Sequence, residues 1–120
     1  MTRWIVDGMN VIGSRPTGWW RDRPGAMRDL VAALGRLAEP VTVVFDGEPF
    51  EIDGPGEVEV RFASRLGRNA ADDDIVALVG AAADPGELTV VTSDAGLEAR
   101  VRERGAAVVG AGKFRTRLER

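Results

Sequence analysis

Short apolar runs alternate with longer amphipathic segments along this chain, and each kind has its own period. Arg3 to Val6 is short and apolar enough for a buried central strand. Val41 to Phe45, a continuous β-branched and aromatic run, reads as a second buried strand, Leu88 to Thr92 as a fourth and Ala106 to Val109 as a fifth. Between them, Val58, Val60 and Phe62 alternate with Glu57, Glu59 and Arg61, the pattern of a half-buried edge strand. Helical spacing governs the rest. Met27, Leu30, Val31, Leu34 and Leu37 recur at threes and fours from Gly25 to Ala38, ended by Glu39-Pro40. Asp73 to Ala83 places Ile75, Leu78, Val79 and Ala82 on one side and stops at Asp84-Pro85-Gly86. Ala95 to Arg104 turns Leu97 and Val101 inward and ends at Gly105, the residue favoured just past a helix. Residues 13–24 and 47–56 read as loops, and the segment after Val109 as a Gly-rich, basic tail.

The order β-α-β-β-α-β-α-β predicts an α/β fold: one domain over residues 1–120, with a mostly parallel sheet of about five strands between helical layers. A chain of 120 residues has room for one core. Its 44% hydrophobic and 29% charged content marks a globular rather than a disordered protein. No apolar run reaches the roughly 20 residues a bilayer requires, and the N-terminus carries no secretory pattern, so a cytoplasmic location and no membrane partner are expected.

In such a topology four aspartates converge. Asp7 follows the first strand, Asp46 the second, Asp94 the fourth, and Asp72 stands at a helix mouth. The carboxyl ends of parallel strands share one rim, where open α/β sheets bind ligands. Carboxylates gathered there repel one another unless a hard cation balances them. Cysteine and histidine are both absent, so any metal must be held by oxygen, and proton transfer falls to a carboxylate, a water or the substrate.

Each aspartate also has a plain structural reading. Asp7-Gly8 and Asp46-Gly47 could be turns, and Asp94 or Ser93 an N-cap. The triplet Asp72-Asp73-Asp74 exceeds what capping needs, which favours Asp72 as a ligand, Asp73 next, and Asp74 pointing away. At Asn10 the side-chain amide offers a neutral oxygen ligand or a prop for Asp7, and Gly8 leaves room for a close approach of backbone and ligand.

A net charge of −3 argues against coating nucleic acid by bulk electrostatics, but the sixteen basic residues are clustered. Arg15, Arg21 and Arg23 flank Trp19-Trp20 in a loop suited to stacking an unpaired base, while Arg61, Arg65 and Arg68 precede the acidic triplet. Basic segments around an acidic centre suit a metal-dependent enzyme acting on a polyanion.

The stretches Val6-Asp7-Gly8-Met9-Asn10-Val11-Ile12, Val43-Val44-Phe45-Asp46-Gly47, Ala71-Asp72-Asp73-Asp74-Ile75, Val91-Thr92-Ser93-Asp94 and Gly105-Ala106 resemble, in order, the YacP-like NYN domains, relatives of PIN-domain nucleases. The resemblance implies a three-layer PIN-like fold and an Mg²⁺- or Mn²⁺-dependent endoribonuclease site built from Asp7, Asn10, Asp72 and Asp94, with Asp46 and Asp73 as further candidate metal ligands. Arg15, Trp19, Trp20, Arg21, Arg23, Arg65, Arg68 and Ser93 are the candidate RNA contacts. The expected partner is single-stranded RNA and, through it, the ribosome or other RNA-processing machinery. Two rivals stand beside this reading. One is a non-catalytic RNA-binding module whose acids are caps. The other is a phosphotransferase using an aspartyl nucleophile, disfavoured because the only lysine, Lys113, lies in a basic tail.

Overall fold

In the computed structural model, which describes residues 2–67 and 69–120, five parallel strands form one sheet. The strands are β1 (Arg3–Asp7), β2 (Val41–Phe45), β3 (Val58–Phe62), β4 (Leu88–Val91) and β5 (Ala107–Val109). They lie in the order β3-β2-β1-β4-β5. Every neighbouring pair is parallel, with Val6 opposite Val43 on one side and Val91 on the other. Five α-helices surround the sheet: α1 (Gly8–Ile12), α2 (Arg23–Leu34), α3 (Ala70–Ala81), α4 (Ala95–Glu103) and α5 (Ala111–Leu118).

The two-residue period of the strands sorts their side chains into two cores. Trp4, Val6, Val43, Phe45 and Val91 pack on one face with Met27, Leu30 and Leu34 of α2 and Phe114 and Leu118 of α5. Ile5, Val44, Leu88 and Val90 pack on the other with Ile75 and Val79 of α3 and Leu97 and Val101 of α4. Strands covered on both faces must be apolar throughout, which is why β1, β2 and β4 read as continuous hydrophobic runs. β3 is an edge strand, as its alternation predicts. It reaches its parallel register without a helix, because the 46–57 connection crosses the first face with Phe50 and Ile52 packed down and the Phe50 ring 5.5 Å from that of Phe62.

Several boundaries differ from the sequence reading. α2 begins at Arg23 rather than Gly25, because Asp22 caps it through Gly25 N (3.0 Å) and Pro24 suits the first turn, and it ends at Leu34 rather than Ala38. α3 starts at Ala70, three residues before the expected Asp73, after Asn69 in a left-handed conformation (φ 61°). Trp19–Arg21 forms a short 3₁₀ turn inside the expected loop. The tail expected to be irregular folds into α5, with Ala111, Phe114 and Leu118 buried.

Gly8 has a different reason from the one expected. A Cβ there would lie 2.4 and 2.5 Å from two carbons of the Phe45 ring, so the space beside it belongs to β2's side chain and not to a ligand. Gly8→Ala is therefore expected to destabilise the fold by about 1–3 kcal/mol through overpacking. Urea denaturation checks this, with Phe45→Leu in the same chain expected to reduce the penalty of the Gly8 change.

Candidate active site

The strand order reverses beside β1: β2 and β3 extend to one side of it, β4 and β5 to the other. Such a switch point opens a crevice beyond the carboxyl ends of the strands, and Asp7 is the last residue of β1. Asp7 is 5% exposed. Its Oδ2 accepts a hydrogen bond from Thr92 Oγ1 (3.0 Å), itself buried past the end of β4, and Thr92 Oγ1 accepts in turn from Asp94 N (3.1 Å). Burial pushes the Asp7 carboxyl up to about 7, and the charges of Asp72 and Asp46 add to the rise, against the opposing pull of the Thr92 hydroxyl and the Asn10 backbone.

Asp46, just past β2, accepts at Oδ1 from Ala71 N (2.9 Å). Since the Asn69 side chain makes no cap bond, a carboxylate from a neighbouring strand end caps the first turn of α3. Asp72, one residue further on, accepts no hydrogen bond from a described residue. Its carboxyl is raised, first by burial and then by Asp94 and Asp46, with Arg100 partly offsetting them. Asp94 is the N-cap of α4, its Oδ1 accepting from Leu97 N (2.9 Å). These four acids form one electrostatic cluster, and none of them is ion-paired with a described arginine or lysine. Among the described residues, no three acids stand close enough together to chelate one ion as the side chains lie.

The neighbouring candidates have other partners. Asp73, expected as a ligand, accepts from Arg65 Nη2 (2.6 Å) and Arg100 Nη1 (3.0 Å), and these hydrogen bonds hold its carboxyl below the usual range. The structure commits it to arginines rather than to the cluster. Asp74 turns to Ser64, accepting from its N (2.6 Å) and Oγ (2.8 Å), as its place on the far side of the helix predicts. The Asn10 oxygen is taken by Ser93 N (2.8 Å), and Ser93 Oγ accepts from Ala111 N (2.8 Å) at the start of α5. Asn10 and Ser93 thus brace the rim by tying α1, the β4–α4 turn and α5 together, while the Asn10 backbone also bonds the Asp7 carboxyl.

The basic candidates divide as well. Arg15 pairs with Glu119 and donates to Thr116 Oγ1 (2.9 Å), which fastens α5. Arg23 donates to the Asp46 carbonyl (2.7 Å), which brings its guanidinium to the rim. The two tryptophans meet edge to face at 5.9 Å, but Trp19 packs against the first core while Trp20 is 57% exposed, with the Arg21 guanidinium 5.9 Å from its ring centre. Only Trp20 offers a face for stacking. Trp20→Ala is expected to weaken single-stranded RNA binding by roughly 1–3 kcal/mol with stability unchanged, and Trp19→Ala to lower stability instead. Fluorescence anisotropy with a short oligoribonucleotide, beside a thermal melt, separates the two. Arg68, the last of the RNA candidates, lies outside the described residues.

Sequence reasoning missed Thr92 as the buried partner of Asp7, although a threonine ending an apolar strand was a signal for it. It also missed Arg115, which donates to the Val11 (3.1 Å) and Ile12 (2.8 Å) carbonyls and so closes the C-terminus of α1. A cavity of about 510 Å³ lies away from the acids, between α1, α2 and α5, with Trp19, Asp29 and Arg115 in its wall.

Comparison with known proteins gives the family and the fold. No curated protein sequence matches the chain. Two crystal structures of Rae1 (YacP) from Bacillus subtilis do match. The W164L mutant is 25% identical, with a TM-score of 0.81 over 99% of this chain and 76% of that one. The other is 24% identical, with a TM-score of 0.79 over 99% and 74%. The profile of the YacP-like NYN domain matches residues 4–120, nearly the whole chain and all the elements that carry the rim acids. No helix among the described residues is long and apolar enough to cross a membrane. The chain belongs to the YacP-like NYN domain family, a ribonuclease-type group with the PIN-like α/β fold.

Proposed function

We propose that this protein is a divalent-metal-dependent endoribonuclease that hydrolyses phosphodiester bonds of single-stranded RNA at the rim formed by Asp7, Asp72, Asp94 and Asp46. One observation carries the reading: a buried carboxyl on the central strand is held near pKa 7 among three further acids, with no described basic side chain paired to any of them. Such a cluster is unfavourable alone, and its all-oxygen chemistry fits Mg²⁺ or Mn²⁺. Binding the ion would draw the Asp7, Asp72 and Asp94 side chains together from their present spacing, with Asp46 adding the oxygen that does not cap α3. A bound divalent ion supplies neutralisation of the phosphodiester charge and a more acidic water.

The chain's own residues set up the rest. Thr92 fixes the orientation of the Asp7 carboxylate by donating to it, and its second role, accepting from Asp94 N, locks β4's end to the same frame. Burial of Asp7 keeps bulk water from screening its charge. Arg23, anchored on the Asp46 carbonyl, brings a cation to the rim for the RNA backbone. With no histidine, the two-imidazole route through the 2′-hydroxyl has no residues to run it.

A second reading, a non-catalytic RNA-binding module, draws on Asp46 and Asp94, both of which serve as helix caps. The two part on one experiment. Purified protein incubated with mixed structured and unstructured RNA should cut internally with Mg²⁺ or Mn²⁺ and not with EDTA. RNA that is bound but left intact under all conditions would favour the binding module. Whether the RNA is met free or on the ribosome follows from repeating the assay with ribosome-bound message.

A further inference from the structure

Beside the acid cluster, three elements bring two arginines onto one carboxylate. Arg65 lies in the connection from β3 to α3, Asp73 in the first turn of α3, and Arg100 on α4. Arg65 Nη2 donates to Asp73 Oδ2 at 2.6 Å and Arg100 Nη1 to Asp73 Oδ1 at 3.0 Å. Both arginine side chains remain about half exposed, at 53% and 46%. A guanidinium has five N–H donors, so one hydrogen bond to Asp73 leaves each with donors to offer, and two cations against one anion leave a net positive charge. Exposed ion pairs of this kind add at most about 1 kcal/mol to stability, which is a poor reason to gather like charges. Their place is informative: Asp73, which both arginines bind, adjoins Asp72 of the rim on α3.

We infer that Arg65 and Arg100, held side by side by Asp73, form a clamp for a backbone phosphate of the RNA next to the phosphodiester positioned over Asp7 and Asp72. Asp73 is then a positioning residue that holds one guanidinium group on each of its two oxygens. The inference rests on the proposed RNA-cleaving function for its substrate, but the clamp acts in binding and can be read without cleavage.

The experiment compares Arg65→Gln, Arg100→Gln and, as a control, Arg102→Gln. Arg102 is also on α4 and is paired with Glu98 (3.6 Å), so its loss changes net charge equally. Binding of a fluorescent single-stranded oligoribonucleotide is measured in EDTA over a range of salt, and KM and kcat with Mn²⁺. Each of the first two variants is expected to bind roughly three- to tenfold more weakly and to raise KM by a similar factor, with kcat nearly unchanged. The slope of log affinity against log salt should fall by about 0.7 for each. Arg100→Lys should recover part of the affinity while Arg102→Gln behaves as wild type. Clamp variants indistinguishable from Arg102→Gln, in a protein that still cuts RNA, would overturn the clamp alone. Weaker binding by the clamp variants in a protein that never cuts RNA would support the clamp and overturn the catalytic reading.

Discussion

Asp7→Asn is expected to abolish RNA cleavage, lowering turnover by at least roughly a hundredfold, and at the same time to make the metal-free protein more stable. The two effects have one cause. In the fold the Asp7 carboxyl titrates near 7 instead of the ordinary 3.8, so the folded protein favours its neutral form. Below about pH 3 the group is neutral whether folded or unfolded and costs nothing. As pH rises from about 3 to 7 the unfolded chain ionises first and gains on the folded one, and above 7 the penalty is complete, on the order of 4 kcal/mol. Asparagine is neutral throughout and keeps an oxygen for the Thr92 hydroxyl. Urea denaturation in EDTA should therefore show the variant more stable than wild type at pH 8, by less at pH 6, and equal to it near pH 3. A variant less stable than wild type at pH 8 would mean that Asp7 is a structural aspartate whose charge the fold needs.

Asp72 and Asp74 should separate activity from stability. They are two residues apart on α3, so at about 100° per residue their side chains leave the helix on nearly opposite sides. Asp72 joins the cluster with Asp46 and Asp94, whereas Asp74 accepts two hydrogen bonds from Ser64. Asp72→Asn is expected to cut turnover by at least roughly a hundredfold with little change in stability. Asp74→Asn should leave turnover within about threefold and cost about 1 kcal/mol by loosening the turn before α3. Steady-state cleavage and thermal melts on both variants check this, and equal losses of activity would show that the α3 N-terminus does not sort these acids as described.

What could be read from the sequence was governed by periodicity. Val41 to Phe45 and Leu88 to Val91 announce strands because a strand covered on both faces must be apolar at every position, and Ile75 and Val79 announce α3 by their spacing. α5 escaped because Gly110, Gly112 and four basic residues dominate the composition of its stretch, although Ala111, Phe114 and Leu118 already lie on one helical face. α1 has only five residues, too short for any period. At the site, Asp7, Asp46, Asp72 and Asp94 were legible because strand ends and helix mouths meet at one rim in a parallel sheet. The partners they take were not. Whether Asp73 joins the acids or a pair of arginines depends on Arg100, 27 residues away, and the bond between Thr92 and Asp7 spans 85 positions. Such choices are made in three dimensions, and local sequence marks at most the residue type, as with the threonine that ends β4's apolar run, and not its partner. The same holds for Trp19 and Trp20, adjacent and chemically identical, of which the fold packs one, partly buried, against a core and leaves the other in solvent.

The most direct test of the account is a Mn²⁺ titration of the wild-type protein in which the thermal midpoint and the rate of internal RNA cleavage are followed on the same samples. If the rim acids hold the ion that the reaction uses, both should rise from the EDTA baseline over the same range of Mn²⁺ concentration. Cleavage undiminished in EDTA, or a midpoint that never moves while RNA is cut, would contradict it.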